Sequence, residues 1–435
     1  MTSSSEQKAW DDSVTNPEAR DAAAEAIVAL AHDSFSAVEA IWREPWTALP
    51  IPGASGPWSE IVRRILQCPT RASAAAAIAA DPVIGTAIAS GNLYVGLSGS
   101  GGILQAEVVP LELLQSACME LAALSYEMTE DHLVDAALRS LEGLRKGVAG
   151  ERFDGWQLTG FRGVVLSPDI AVETPWGRLV HADRMSSEMW APDGCSAVLA
   201  TPISSFLRER SGSSLAASDP ESREHSTKMW QIAHLVSCGV ALGSSPDDPT
   251  TAVPISSGEL LPIGMIGRGG AVRFVGFHNR SSPISGEEAI DMNRWMACLH
   301  DTPLERIDVA LRRLVRGLAE RVDYLGSLID AVIAWENLVE DRGQPTKSVL
   351  YGISALVSGT NWSKNRIKRV YEARSDLIHG ESPDYAHSQD LAGDALRIGL
   401  DALRSLFDSH PEMLDMTSEE RVAALGFIAR EASDT

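Results

Sequence analysis

The sequence predicts a multidomain protein in which an N-terminal mixed α/β region is followed by an all-α C-terminal helical bundle. Three observations lead there. At 435 residues the chain exceeds what one ordinary hydrophobic core organises. Short apolar stretches broken by turn residues gather between positions 151 and 300. Beyond Asp301-Thr302-Pro303 apolar residues recur at helical spacing almost to the end.

Taken in order, residues 1–16 are polar without periodicity and read as a disordered N-terminus. Residues 17–150 read as mainly helical. Ala22, Ile27, Leu30, Phe35, Val38 and Ile41 carry a helical pattern that ends near Glu44-Pro45. Shorter helices are expected over 58–67 and 72–80, and amphipathic ones over 111–127 and 132–146. Residues 93–97 and 103–109 read as strands around Gly96-Leu97-Ser98-Gly99-Ser100-Gly101-Gly102. That run lacks the Gly-Lys-Ser/Thr ending of a phosphate-binding loop and is read as a hairpin connection.

Residues 151–300 read as the β-rich part. Strands are expected over 163–166, 170–174, 178–181, 197–200 and 272–277, with Thr174-Pro175-Trp176-Gly177 closing a hairpin. A helix is expected over 227–241, and exposed loops over 211–224 and 244–251. Trp156, Trp176, Trp190 and Trp230 are expected to fill the core, and His181, His225, His234 and His278 show no metal-ligand spacing. Residues 301–435 form the all-α part, with helices over 303–317, 320–341, 345–358, 362–379, 386–409 and 417–431. Thr302, Pro303 and Glu305 read as a capping box opening the first of them.

Composition narrows the function classes. Hydrophobic residues at 44% and charged residues at 22% suit a soluble globular protein. No apolar run is long enough to span a bilayer, and Met1-Thr2-Ser3-Ser4-Ser5-Glu6 lacks the regions of a signal peptide. A cytoplasmic protein with no membrane partner is expected. The five cysteines are scattered and form no Cys-x-x-Cys pair, so neither disulfides nor a zinc site is expected, and no metal or cofactor is assigned. A net charge of −22 argues against a broad nucleic-acid-coating surface, though not against a small local site.

Two anomalies in the all-α part carry the chemistry. In the helix over 362–379, Arg374 interrupts a stripe of Ile367, Val370, Tyr371, Leu377 and Ile378. In the helix over 320–341, Glu336 interrupts Val322, Leu325, Ile329, Val332, Ile333 and Val339. A charge on an apolar face is costly unless paired, so the two are each other's natural partners, within the chain or across a subunit boundary. Five residues after Arg374 stands His379, followed by Gly380. Arginine offers a permanent bidentate charge and histidine exchanges protons near neutral pH, so the pair can converge on one phosphate. Lys364, Arg366, Lys368 and Arg369 lead into the motif as candidate RNA contacts, or as a solvated helix face. The plainer reading of the same spacing is a buried Arg374–Glu336 pair with His379 capping the helix end.

The segment over 304–407 resembles a HEPN domain, and more closely the Apea-like branch of that family. The resemblance rests on Arg321-Val322-Asp323-Tyr324-Leu325, on Ala334-Trp335-Glu336-Asn337-Leu338, and on Val370-Tyr371-Glu372-Ala373-Arg374-Ser375-Asp376-Leu377-Ile378-His379-Gly380. The family pattern is an Ala-Leu-Glu-x-Leu helix and a Tyr-x-x-Arg-Ser-x-Ile-Val-His-Gly motif. Trp335 and Leu377-Ile378 are the departures, and about a quarter of the chain is covered. The resemblance implies a HEPN-type bundle that forms a homodimer, with two motifs facing one cleft. Many members cut RNA without a metal: a base deprotonates the ribose 2′-OH, which attacks the adjacent phosphorus and leaves a 2′,3′-cyclic phosphate.

On that reading His379 is the general base or acid and Arg374 stabilises the phosphorane. Glu336 orients Arg374, and Ser375 and Asp376 add polar contacts. The order of regions also resembles bacterial proteins associated with phage defence. This implies a toxin or abortive-infection effector restrained by its N-terminal region, with a phage-derived trigger or inhibitor as a partner. The rival expectation is a non-catalytic HEPN module for dimerisation or for binding a nucleotide or partner. A variant modified on a tyrosine two residues after the histidine fits poorly, because that position is Glu381.

Overall fold

The computed structural model describes residues 21–43, 56–96, 101–124, 127–182, 195–210, 220–262, 283–319, 323–380 and 385–427. The expected disordered stretch 1–16, the strand over 272–277, Trp190 and His278 lie outside them. Helix α1 (Ala22–Arg43) buries Ala23, Ile27, Leu30, Val38 and Ile41 on one face, the 3.6-residue pattern legible in the sequence. It packs with α2 (Gly56–Leu66), α3 (Arg71–Ala80) and α6 (Glu130–Val148). Between them lie α4 (Ile84–Ser90), which the sequence did not announce, and α5 (Val109–Ala123). Asp81 accepts from the amides of Val83 and Ile84 and pairs with Arg145 at 2.6 Å, so a short helix is held by one carboxylate.

Strands β1 (Leu93–Val95) and β2 (Gly101–Ile103) pair antiparallel across the glycine-rich connection. The strand expected over 103–109 stops at Ile103, because Val109-Pro110 opens α5 instead. Proline at the first helical turn loses no hydrogen bond.

The main sheet has the order β4-β5-β6-β3-β8 and is antiparallel throughout. Its strands are β3 (Arg152–Arg162), β4 (Val172–Thr174), β5 (Gly177–His181), β6 (Ala197–Phe206) and β8 (Val253–Leu260). The short β7 (Arg208–Arg210) pairs with β1 in the smaller sheet. Leu158, Val180, Val198 and Ala200 face α5 and α6, whereas Phe161, Leu179 and Leu199 face α7 (Pro220–Gly243) and α8 (Gly286–Asp301). The result is a helix–sheet–helix sandwich.

Burial on both faces explains where the strand readings failed. The run Gln157 to Phe161 is buried throughout, so β3 shows no polar–apolar alternation, and the strand expected over 163–166 is only a single bridge from Leu166 to Ile284. Strand β8 was missed because Pro254, Ser256, Ser257 and Gly258 suggest a loop; Pro254 sits where the ladder to β3 shifts register beside Phe161. The 174–177 hairpin forms as expected. Gly177 has φ +142°, and a Cβ there would meet the Ala200 carbonyl oxygen at 2.0 Å, so only glycine closes it.

Two further corrections concern ends of elements. The loop expected over 211–224 gives way at Pro220 to the first turn of α7. Thr302 does not cap a following helix: its hydroxyl donates to the Cys298 carbonyl at 2.7 Å and closes α8, and the next helix begins at Asp308. Capping boxes do form at Ser285/Glu288 and Thr417/Glu420. Trp156 and Trp176 pack half-buried against the sandwich cores, but Trp230 is exposed on α7, contrary to expectation.

The C-terminal part comprises α9 (Asp308–Ala319), α10 (Tyr324–Val339), α11 (Pro345–Leu356), α12 (Lys364–Ile378), α13 (Tyr385–Ser409) and α14 (Ser418–Ala424). Its core gathers Leu314, Leu328, Trp335, Ile353, Val370, Leu396 and Leu403. Trp335, a departure from the resembled pattern, is fully buried and donates its indole N–H to the Ala395 carbonyl at 3.1 Å. Arg421 is equally buried and donates to the carbonyls of Met413, Asn337, Leu338 and Arg306, which lashes α14 to the ends of its neighbours. This core does not stop at residue 301. Cys238, Ala241 and Leu242 of α7 and Trp295 and Leu299 of α8 belong to it. No single helix among the described residues is long and apolar enough to cross a membrane.

Candidate active site

Ser363 caps α12 by accepting from the Arg366 amide, and Ile367, Val370 and Tyr371 turn into the bundle. One turn further, Arg374 emerges half-buried and donates from Nη2 to Oε2 of Glu336 on α10 at 3.0 Å. The pairing inferred from two interrupted stripes therefore exists within one chain. Tyr371 donates its hydroxyl to the other Glu336 oxygen at 3.3 Å. Both oxygens of the carboxylate are thus engaged by α12, and Tyr371 is the site residue that the sequence reading left out. Its signal was available: Tyr371 and Arg374 are three residues apart and share a helix face.

Burial pushes the Glu336 carboxyl above its ordinary range, with Arg374 pulling it back and Glu340 adding to the rise. Burial and the adjacent Glu336 also raise the Tyr371 phenol, which keeps it a hydrogen-bond donor. The Arg374 Nε–H is buried and has no hydrogen-bond partner among the described residues. Charge-assisted anchoring through Nη2 therefore leaves a donor to spare.

The helix ends at His379, whose amide donates to the Ser375 carbonyl, while the Gly380 amide reaches Leu377. Gly380 has φ +87° and ends the helix in the left-handed conformation. The His379 side chain is exposed and makes no hydrogen bond among the described residues. Arg374 and His379 lie about 140° apart around the helix axis and roughly 7.5 Å along it. They flank one helix end without touching through a hydrogen bond. Ser375 is half-buried and Asp376 exposed, neither tied to the Glu336 carboxylate.

The expected stripe on α10 is met in part. Val332 and Val339 are fully buried as expected, together with Leu328, Ala331, Ala334, Trp335 and Leu338, whereas Glu336 lies on a half-buried flank with Leu325, Ile329 and Ile333, and Val322 lies outside the described residues. Apolar residues occupy more than one face of this helix, so periodicity did not single out the buried one. The acid that truly sits in the core is Asp330, fully buried and paired with Arg313 of α9 at 2.6 Å.

The candidate RNA-contacting run is also thinner than expected. Arg366 turns inward to Asp394 of α13, which Arg397 also engages at 2.8 Å. A carboxylate on the neighbouring helix thus holds this guanidinium. Lys368 pairs with Glu372 at 3.4 Å on the exposed face. Lys364 and Arg369 are exposed. Among the described residues no three His, Cys, Asp or Glu side chains cluster as a metal-ligand set. No family model matches the chain, and no curated protein and no solved structure matches it.

Proposed function

We propose that the C-terminal helices form a HEPN-type bundle that cleaves RNA by attack of the ribose 2′-OH on the neighbouring phosphate. The observation that carries this reading is the Arg374–Glu336–Tyr371 cluster beside an exposed histidine on a glycine-terminated turn. Glu336 and Tyr371 hold Arg374 in place, the guanidinium stabilises the dianionic phosphorane, and His379 moves the proton of the 2′-OH or of the leaving 5′-oxygen. A dependence on the 2′-OH restricts the chemistry to RNA. Ile378, exposed to 54% next to His379, supports pairing of two such ends in a homodimer, where it would be covered. A toxin or antiviral role, with the α/β region restraining the bundle until a phage-derived partner relieves it, is the physiological setting of this proposal.

Mapping the ends of RNA incubated with the full chain tests it. Products ending in a 2′,3′-cyclic phosphate, formed equally in EDTA and lost in His379→Ala and Arg374→Ala, are expected. Cleavage that survives both substitutions, or that EDTA abolishes, sinks the reading. A non-catalytic dimerisation or binding module is the second reading. It is favoured by the net charge of −22 together with the inward turn of Arg366, which removes one of the four bases leading to the motif.

A further inference from the structure

A cavity of about 660 Å³ opens between the β4–β5 hairpin, the outer part of β6, and α7, far along the chain from the Arg374 cluster. It is within the roughly 300–1,000 Å³ span of small-molecule sites. Its walls are chemically mixed. Trp176 and His300 meet edge to face with ring centroids 5.8 Å apart, which gives an aromatic side. Ile232 and Met229 supply apolar floor.

Three polar groups line this cavity. Thr201 is 94% buried, and its hydroxyl has no hydrogen-bond partner among the described residues. A buried hydroxyl left unmatched is costly. Lys228 lines the opening and forms no ion pair among the described residues. His225 is the third. Its Nε2 lies 3.0 Å from the Gln157 Oε1, and Gln157 in turn donates from Nε2 to the Ser257 hydroxyl at 2.8 Å. In the neutral ring one nitrogen donates and the other accepts, and Nδ1 makes no hydrogen bond among the described residues. Burial, with Lys228 nearby, lowers the His225 pKa and favours that neutral form.

An aromatic wall, an ammonium at the rim, a buried hydroxyl without a partner and an imidazole together match one ligand chemistry. We infer that this cavity binds a small planar anion of the nucleoside-monophosphate class: the base against Trp176, the phosphate at Lys228, and base or ribose polar groups on Thr201 and His225. The site belongs to the α/β region and does not depend on the nuclease reading, so either can fail alone.

Isothermal titration calorimetry of the full chain with AMP, GMP, CMP and UMP tests the inference, with adenosine and inorganic phosphate as half-ligand controls. At least one nucleotide should bind in the micromolar range and exceed both controls by ~10-fold or more, since ring and anion each contribute. Lys228→Ala should weaken that nucleotide ~10-fold, the cost of one charge contact at a partly exposed site. Thr201→Val keeps the shape, removes the hydroxyl, and should weaken binding while leaving the melting temperature unchanged or higher. Absence of binding by all four nucleotides at millimolar concentration overturns the inference. So does equal binding by adenosine or phosphate alone, or by the Lys228→Ala protein.

Discussion

Arg374 and Glu336 are exposed to only 21% and 17% in their side chains, so each depends on the other for compensation. Arg374→Ala leaves a mostly buried carboxylate with only Tyr371 to hold it. Truncating one partner of such a pair costs about 1–3 kcal/mol, at the lower side of buried-pair values because solvent still reaches the cluster. His379→Ala removes an exposed ring that makes no hydrogen bond among the described residues, and stability should change by no more than ~0.5 kcal/mol. Urea unfolding of the two variants beside their cleavage assays separates a chemical role from a structural one. If His379→Ala destabilises as much as Arg374→Ala, the histidine is part of the bundle's packing. At this scale the sequence was informative for a specific reason. A guanidinium and a carboxylate on apolar helix faces both need a partner, and the same short domain offered one of each. It was silent on the partner of Arg366, because a helical wheel ranks a residue by its own neighbours and cannot see Asp394 on another helix.

Among the elements, α5 shows the tension between burial and charge most directly. Glu112, in its first turn, is pushed up to about 7 by burial. Near pH 4 and below, the group is neutral folded and unfolded alike. As pH rises from there toward 7, the unfolded chain ionises first and folding loses stability, until the folded form ionises too. The full shift corresponds to ~3 kcal/mol, which partial exposure and the favourable helix N-terminus reduce to about 1–2 kcal/mol. Glu112→Gln should therefore stabilise the protein by about 1–2 kcal/mol at pH 8 and leave it unchanged at pH 4. Equal unfolding midpoints for parent and variant at pH 8 would show that solvent already screens the charge. Helices with a clear polar face, such as α1, α6 and α12, were legible because one-sided burial preserves a 3.6-residue signal. Strand β3 was not, because helices cover both faces of the sheet and erase the two-residue alternation.

Across the whole molecule, the α/β sandwich and the helical bundle are joined through the end of α7. Arg404 of α13 donates to the carbonyls of Leu242, Ala241 and Ser244 at 2.9, 3.3 and 3.0 Å, and pairs with Asp401. A cation on the last carbonyls of a helix satisfies acceptors that the helix itself cannot. Arg404→Ala should cost about 2–4 kcal/mol by orphaning buried carbonyls and the Asp401 charge, and should split thermal unfolding into two transitions. A single transition at the parental temperature would mean that apolar contacts alone join the two parts. The sequence by itself determined what depends on near neighbours: one-sided helices, the Gly177 hairpin, the glycine stop after His379, and the need of Arg374 for an acid. Tertiary structure alone decided the strand order, the identity of Asp330 as the core acid, the inward turn of Arg366, and the cavity above Thr201. The physical reason is range. Backbone geometry and helical spacing act over a few residues, whereas burial on both faces and the choice of charge partner are set by elements distant in the chain.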